Sequence, residues 1–318
     1  MRVPRLRRSP RSLLVTAVLA VLTLGVSGTA HAEYPENFNF FAGIPFELAN
    51  PGGDMPGSND WSCKPTREHP DPVVLVHGTA GGAQTNWGAY IPMLANAGYC
   101  VYTLTYGQLD VPWPLSAMGG MKTIEAEGAE LANFVTRVRA ATGAAMVDLI
   151  AHSQGTIVGN YYIKRAGGSG QVNKFVAISA PWLGTYGDQM NIIRRFAKEL
   201  GAGDVDALAV GTGICPACSE MVGGSAFIAA LNSDGVYDPT VSYTNIDTIY
   251  DELIVPVSIG LVPAPNATNI LVQDGCSTDF SDHLAIAGSH RVAMWALNAL
   301  DPAHPRTVSC EFIPPFTG

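Results

Sequence analysis

Charge is scarce in this chain, and positive charge is scarcer than its count suggests. Asp, Glu, Lys and Arg make up only 14% of the 318 residues, with 18 Lys and Arg against 27 Asp and Glu. Arg2, Arg5, Arg7, Arg8 and Arg11 are crowded at the amino terminus, so the remainder is more acidic than the formal net charge of -9 implies. A surface of that sign argues against nucleic acid as a partner. After Leu13 to Val26 there is no second long apolar run, and that first run is short of the roughly 20 residues a membrane span needs. The glycine-rich stretch His77-Gly78-Thr79-Ala80-Gly81-Gly82 lacks the Lys-Ser or Lys-Thr ending of a phosphate-binding loop and the spacing of a dinucleotide fingerprint. Internal repeats and low-complexity tails are also missing.

At the amino terminus stand a basic region, an apolar segment and Ala30-His31-Ala32, with small residues two apart. These are the parts of a secretory signal peptide. The expectation is that residues 1–32 are removed, that the mature chain starts near Glu33, and that it is secreted with no transmembrane segment. Roughly 285 residues then remain, enough for a single α/β domain with a substantial core over 33–318. Six cysteines in an exported chain should be paired. Six allow fifteen connectivities, and chain order suggests Cys63 with Cys100, Cys215 with Cys218, and Cys276 with Cys310. Cys215-Pro216-Ala217-Cys218 has a spacing that also serves redox and zinc sites. No second cysteine or histidine pair at ligand spacing accompanies it, so a local loop staple is expected and no metal.

Short apolar runs at Val73–Val76, Cys100–Thr105 and Met146–Ala151, the last apolar except for Asp148, suit buried strands, and Val172–Ile178, Tyr243–Tyr250 and Thr268–Gln273 read as further strands. Between them, Asn86–Ala97 has helical spacing with Gly98 as its stop, and Lys122–Ala141 is the clearest amphipathic helix. Ser153–Arg165 and Arg291–Leu300 complete the alternation. Strands alternating with helices predict an α/β fold, a mostly parallel sheet covered on both faces.

Ser153 ends one apolar strand and opens one helix, with Gly155 two residues later, in Ala151-His152-Ser153-Gln154-Gly155. A nucleophile on a sharp strand-to-helix turn needs that context and small residues on either side. Ala151 replaces the more usual first glycine but still adds little bulk. A serine there could also simply cap the helix. To react it requires a base and an acid, and on such a sheet the order along the chain is Ser, then Asp or Glu, then His. His31, His69 and His77 precede the serine, and His152, its neighbour, should point its side chain away. His283, His290 and His304 remain. His283 lies on a loop after the last predicted strand, where a base belongs, whereas His290 starts a helix and His304 sits among prolines. For the acid, Asp251 comes first after its apolar run, with Glu252 and Asp247 as alternatives. The developing oxyanion requires backbone N–H donors, expected from Gln154 at its helix start and from Thr79 in the glycine-rich loop, whose hydroxyl could add another bond.

Val74-Leu75-Val76-His77-Gly78-Thr79, Gly98-Tyr99-Cys100-Val101-Tyr102, the Ser153 pentapeptide and Asp251-Glu252-Leu253-Ile254-Val255-Pro256 together resemble the class 2 bacterial secreted lipases, and more distantly the fungal lipase B type. The resemblance spans roughly Pro72 to Leu300. It implies an α/β-hydrolase fold and acyl-ester hydrolysis by Ser153, His283 and Asp251, with Thr79 and Gln154 as oxyanion donors and no cofactor. Cys63 with Cys100 and Cys276 with Cys310 also look like disulfides of the fungal type. The implied substrates are esters, acylglycerols among them, met in solution or at a lipid–water interface. Polyester hydrolysis, acyl transfer to an alcohol, or a catalytically silent binding protein would use the same frame. Tyr186 to Gly235 contains Met190, Ile192, Ile193, Phe196 and Leu200, an apolar face for either a lid within 186–235 or simple packing on the sheet. Trp87, Trp113 and Trp182 fall on loops after predicted strands and are expected near the pocket.

Overall fold

Val73–Val76 carries no polar residue and is buried along its whole length, as a central parallel strand covered on both faces must be. In the computed structural model, which describes Met1 and residues 33–187, 189–202 and 215–314, this run is β1. The expected signal peptide and residues 203–214 of the 186–235 segment lie outside the described residues. The other strands are β2 (Val101–Thr103), β3 (Val147–His152), β4 (Val172–Ile178), β5 (Ser242–Asp247) and β6 (Ala267–Leu271). They form one sheet in the order β2-β1-β3-β4-β5-β6, every neighbouring pair parallel. The expected α/β class is what the structure has.

The period of two along β1 sorts its side chains into two cores. Val73 and Leu75 join one with Ile44 of α1 (Ile44–Ala49), Leu94 of α2 (Tyr90–Asn96) and with Val292 and Leu297 near the carboxyl end. Val74 and Val76 join the other with Leu131 and Val135 of α3 (Ile124–Thr142) and Ile157 and Val158 of α4 (Gln154–Arg165). Thr123 caps α3 by accepting from the Ala126 N–H, and Gly143 ends it at φ 80°. The apolar side chains of α5 (Gln189–Glu199) that are described, Ile192, Ile193, Phe196 and Ala197, are buried in the first core together with Phe40. That is the packing alternative for this stretch. The short helices α6 (Pro216–Glu220) and α7 (Ala226–Leu231) follow, and α8 (His290–Leu300) closes the domain.

Some boundaries differ from the sequence expectation for local reasons. The helix expected from Asn86 starts at Tyr90, because the Asn86 side chain instead accepts from the Gly78 N–H at 3.0 Å. The strand expected to reach Tyr250 stops at Asp247. Beyond it the Thr248 hydroxyl donates to the Ser281 carbonyl at 2.8 Å and accepts from the Tyr250 N–H at 3.2 Å, which turns the chain out of the sheet. The three disulfides join Cys63 to Cys100, Cys215 to Cys218 and Cys276 to Cys310, the pairings suggested by chain order. Among the described residues no helix is long and apolar enough to cross a membrane.

Where β3 gives way to α4, Ser153 sits at φ 53° and ψ -125°, a conformation that a residue with a side chain rarely adopts. Gly155 lets the first turn of α4 lie against the end of β1: a Cβ there would stand 2.2 Å from the Val76 carbonyl oxygen and 2.5 Å from that of His77. Backbone atoms cannot step aside as a flexible side chain can. Gly155→Ala is therefore expected to cost about 1–3 kcal/mol, read as a fall of several degrees in Tm. An unchanged melting curve would show that this contact does not constrain the turn.

Candidate active site

Four loops at the carboxyl ends of β1, β3, β5 and β6 bring together residues that are far apart in the chain. The Ser153 hydroxyl lies 2.8 Å from His283 Nε2, and His283 Nδ1 lies 2.8 Å from Asp251 Oδ2 and 3.0 Å from Oδ1. Asp251 Oδ1 also accepts from the backbone N–H groups of Leu253 and Ile254, each at 2.8 Å. All three side chains are buried, and Ser153, at 8% exposed, still reaches a cleft. Burial alone would raise the Asp251 pKa, but the facing imidazole and the N–H donors outweigh it and hold the carboxyl below its usual value. For His283 burial works against protonation, yet the charge and hydrogen bond of Asp251, with Glu252 and Asp282 behind, raise its pKa. Both directions describe one buried, hydrogen-bonded pair.

The other histidines and acids fall elsewhere. His290 pairs with Glu311 at 2.8 Å, and His304 pairs with Asp301 at 3.0 Å. Asp247 is buried at the end of β5, where burial and the neighbouring Asp251 charge push its carboxyl well above the usual range. Glu252, weighed as an alternative acid, instead accepts from the backbone N–H of His283 at 3.1 Å. On the other side His152 Nε2 donates to the His283 carbonyl at 2.9 Å. Burial, with the charge of His283, pushes the His152 pKa down to about 3, so the ring is a neutral donor. Sequence reasoning set His152 aside and missed both of these supports. Only its adjacency to Ser153, and that of Glu252 to Asp251, hinted at them.

Thr79 and Gln154 meet above the serine. Neither backbone N–H donates to another group among the described residues, whereas the next one in the loop, of Ala80, is bound to the Gly119 carbonyl at 2.9 Å. The Thr79 hydroxyl, expected to be available as an extra donor, is committed here: it donates to Gln154 Oε1 at 2.6 Å. Gln154 Nε2 in turn donates to the Gly120 carbonyl at 2.9 Å and to Glu127 Oε2 at 2.7 Å. Two acceptors for the nitrogen fix which way the amide faces.

The cleft is lined by Thr79, Ser153, Pro181, Thr185, Met221, Leu253 and Ile254. None of the tryptophans expected there contributes. Trp87 and Trp182 are fully buried, the latter donating to Asn245 at 3.0 Å, and the Trp113 N–H reaches Glu47 at 3.3 Å. The core drew in Trp87 and Trp182 because it offers a large ring more contact than a narrow groove does, while Trp113 stays exposed. Among the described residues no three His, Cys, Asp or Glu side chains are grouped to hold a metal ion.

A hydrogen-bonded hydroxyl, imidazole and carboxylate beside unpaired backbone N–H groups can deprotonate a nucleophile and receive an oxyanion. Known structures share the frame. Lipase B of Aspergillus fumigatus superimposes with a TM-score of 0.57 at 19% identity, over 80% of this chain and 57% of that one. Carboxylesterase CesB of Bacillus subtilis does so at 0.50 and 14%, over 83% and 97%. This chain thus spans little more than half the length of the fungal lipase. At these identities the likeness is one of fold, and it is the α/β-hydrolase fold. The family described as "Lipase (class 2)" matches residues 70–286. Because that match runs from the approach to β1 through the His283 loop, the chain belongs to the class 2 lipases.

Proposed function

We propose that this chain is an exported serine hydrolase that cleaves carboxylic esters, acylglycerols among them, through an acyl-enzyme on Ser153. The observation that carries the reading is the continuous line from Asp251 through His283 to the Ser153 hydroxyl, with contacts of 2.8 Å at each junction. His283 Nε2 takes the hydroxyl proton as Oγ attacks the ester carbonyl. The oxyanion settles against the Thr79 and Gln154 N–H groups, and the alcohol leaves with the proton from His283. Water repeats the steps and frees the acid. Asp251 keeps the Nδ1–H tautomer and stabilises the imidazolium. Three disulfides support a working environment that is oxidising, in keeping with a signal peptide in residues 1–32.

The cleft over Ser153 is narrow, walled by Thr79, Pro181, Thr185, Met221, Leu253 and Ile254. This narrowness favours compact acyl groups, unless the walls within 186–235 move as a lid at a lipid surface.

Ser153→Ala is expected to lower kcat on p-nitrophenyl butyrate by at least about 10⁴-fold; turnover at the parental rate would sink the proposal. His283 must be neutral to act as base, and the Asp251 charge raises its pKa, so removing that charge lowers it. Asp251→Asn should therefore reduce kcat on the order of 10⁴-fold and shift the acidic limb of kcat/KM to lower pH. A limb that stays in place would mean that Asp251 does not set the base. In solution, butyrate esters should exceed palmitate esters in kcat/KM by about ten-fold or more. The reverse order would show that the cleft walls open.

A further inference from the structure

The proposed oxyanion donors sit on different elements, Thr79 after β1 and Gln154 at the start of α4, and a carboxylate behind them ties the two together. Glu127 projects from the first turn of α3 and is fully buried. One of its oxygens accepts from Gln154 Nε2 at 2.7 Å and the other from the Lys122 backbone N–H at 3.0 Å. Gln154 Oε1 then has only the Thr79 hydroxyl to face, at 2.6 Å. We propose that Glu127 is the positioning residue of the oxyanion hole: its carboxylate fixes the Gln154 amide, and the amide fixes Thr79, so that both backbone N–H groups are held where the oxyanion forms. This rests on the reading of Ser153 as the nucleophile and adds a residue that touches neither substrate nor serine.

Ionisation is integral to the arrangement. An ionised carboxylate offers an acceptor to each of its two donors. Once protonated, it loses its charge, and the oxygen that carries the proton becomes a weaker acceptor for its N–H. The groups facing it are Glu130 further along α3, Glu220 on α6, the buried Tyr106, and Lys122, whose ammonium bonds to Glu130 at 3.1 Å. Burial pushes the Glu127 pKa up to about 8, with the two acidic neighbours adding to the rise and the Lys122 and Gln154 hydrogen bonds working against it. The carboxylate that tightens the site is thus the form gained as pH rises, and kcat should climb through that range.

The test measures kcat and KM for p-nitrophenyl butyrate from about pH 6 to about pH 10 in the parent, Glu127→Gln, Gln154→Met and the double variant, with a thermal melt of each. Gln154→Met keeps the backbone N–H and the side-chain length but removes the amide. Each single variant should lose about ten-fold in kcat with KM within about two-fold, and should lack the limb near pH 8. The double variant should be no worse than the poorer single one. Glu130→Gln, which removes a neighbouring charge outside this chain of contacts, should keep the parental kcat plateau and move the limb to lower pH, because that charge helps to raise the Glu127 pKa. Unchanged kcat, additive losses, or a persisting limb in Glu127→Gln would overturn the role of Glu127 while leaving the hydrolase reading intact. If Glu127→Gln fails to fold, an unchanged kcat in Gln154→Met overturns it alone. A parent without any ester turnover would overturn the reading of Ser153, and this inference with it.

Discussion

The close approach of α4 to the end of β1 is the constraint on which the rest of the structure depends. It requires Gly155, because any Cβ would meet two carbonyl oxygens of the neighbouring strand and loop. It also places the start of α4 beside the Thr79 loop. The left-handed Ser153 backbone is the cost of that turn, and burial on both faces of β3 holds it there. A serine on a relaxed turn would neither point its hydroxyl at the β6 loop nor bring the Gln154 N–H next to that of Thr79. The proposed nucleophile and the proposed oxyanion hole are therefore two results of one packing contact.

The second determinant is electrostatic. Burying an imidazole beside a carboxylate is favourable only if nearly every polar valence is filled. Asp251 meets this with the Leu253 and Ile254 N–H groups as well as His283. The His283 backbone is gripped from both sides, its N–H by Glu252 and its carbonyl by His152. The ring therefore has little freedom to leave the serine, and the pair is organised before any substrate arrives. That His152 is held neutral by burial matters here, because a second positive charge beside His283 would oppose protonation of the His283 ring.

The legible parts of this molecule were those governed by local rules. The strand cores, the α3 helix, the elbow and the order Ser153, Asp251, His283 follow from periodicity and from what a strand-to-helix turn requires, and the structure brings those three side chains into contact. The choice among His283, His290 and His304 rested on loop position, and the contacts of the other two with Glu311 and Asp301 show them occupied elsewhere. What could not be read were long-range pairings with no local signature. Glu127 looked like one of several acidic residues on an amphipathic helix, and nothing in its spacing predicts that it meets Gln154. Tryptophans on loops after strands were placed near the pocket by proximity in sequence, whereas the energy of burying large rings sent Trp87 and Trp182 into the core.

The division between a rigid floor and adjustable walls has its own physical basis. Ser153, Thr79 and Gln154 rest on the central strands, but the cleft walls come from three loop segments around Pro181, Met221 and Leu253. Thr185 joins them. Its N–H donates to the Met221 carbonyl at 2.7 Å, its carbonyl accepts from the Gly223 N–H at 3.0 Å, and its hydroxyl donates to the Leu253 carbonyl at 2.7 Å. One small residue thus ties the wall segments together through three bonds, none of them to Ser153, His283 or Asp251. Changes in the loops it binds can reshape what fits above the serine without disturbing the strained turn beneath, which is how one frame can serve ligands of different size.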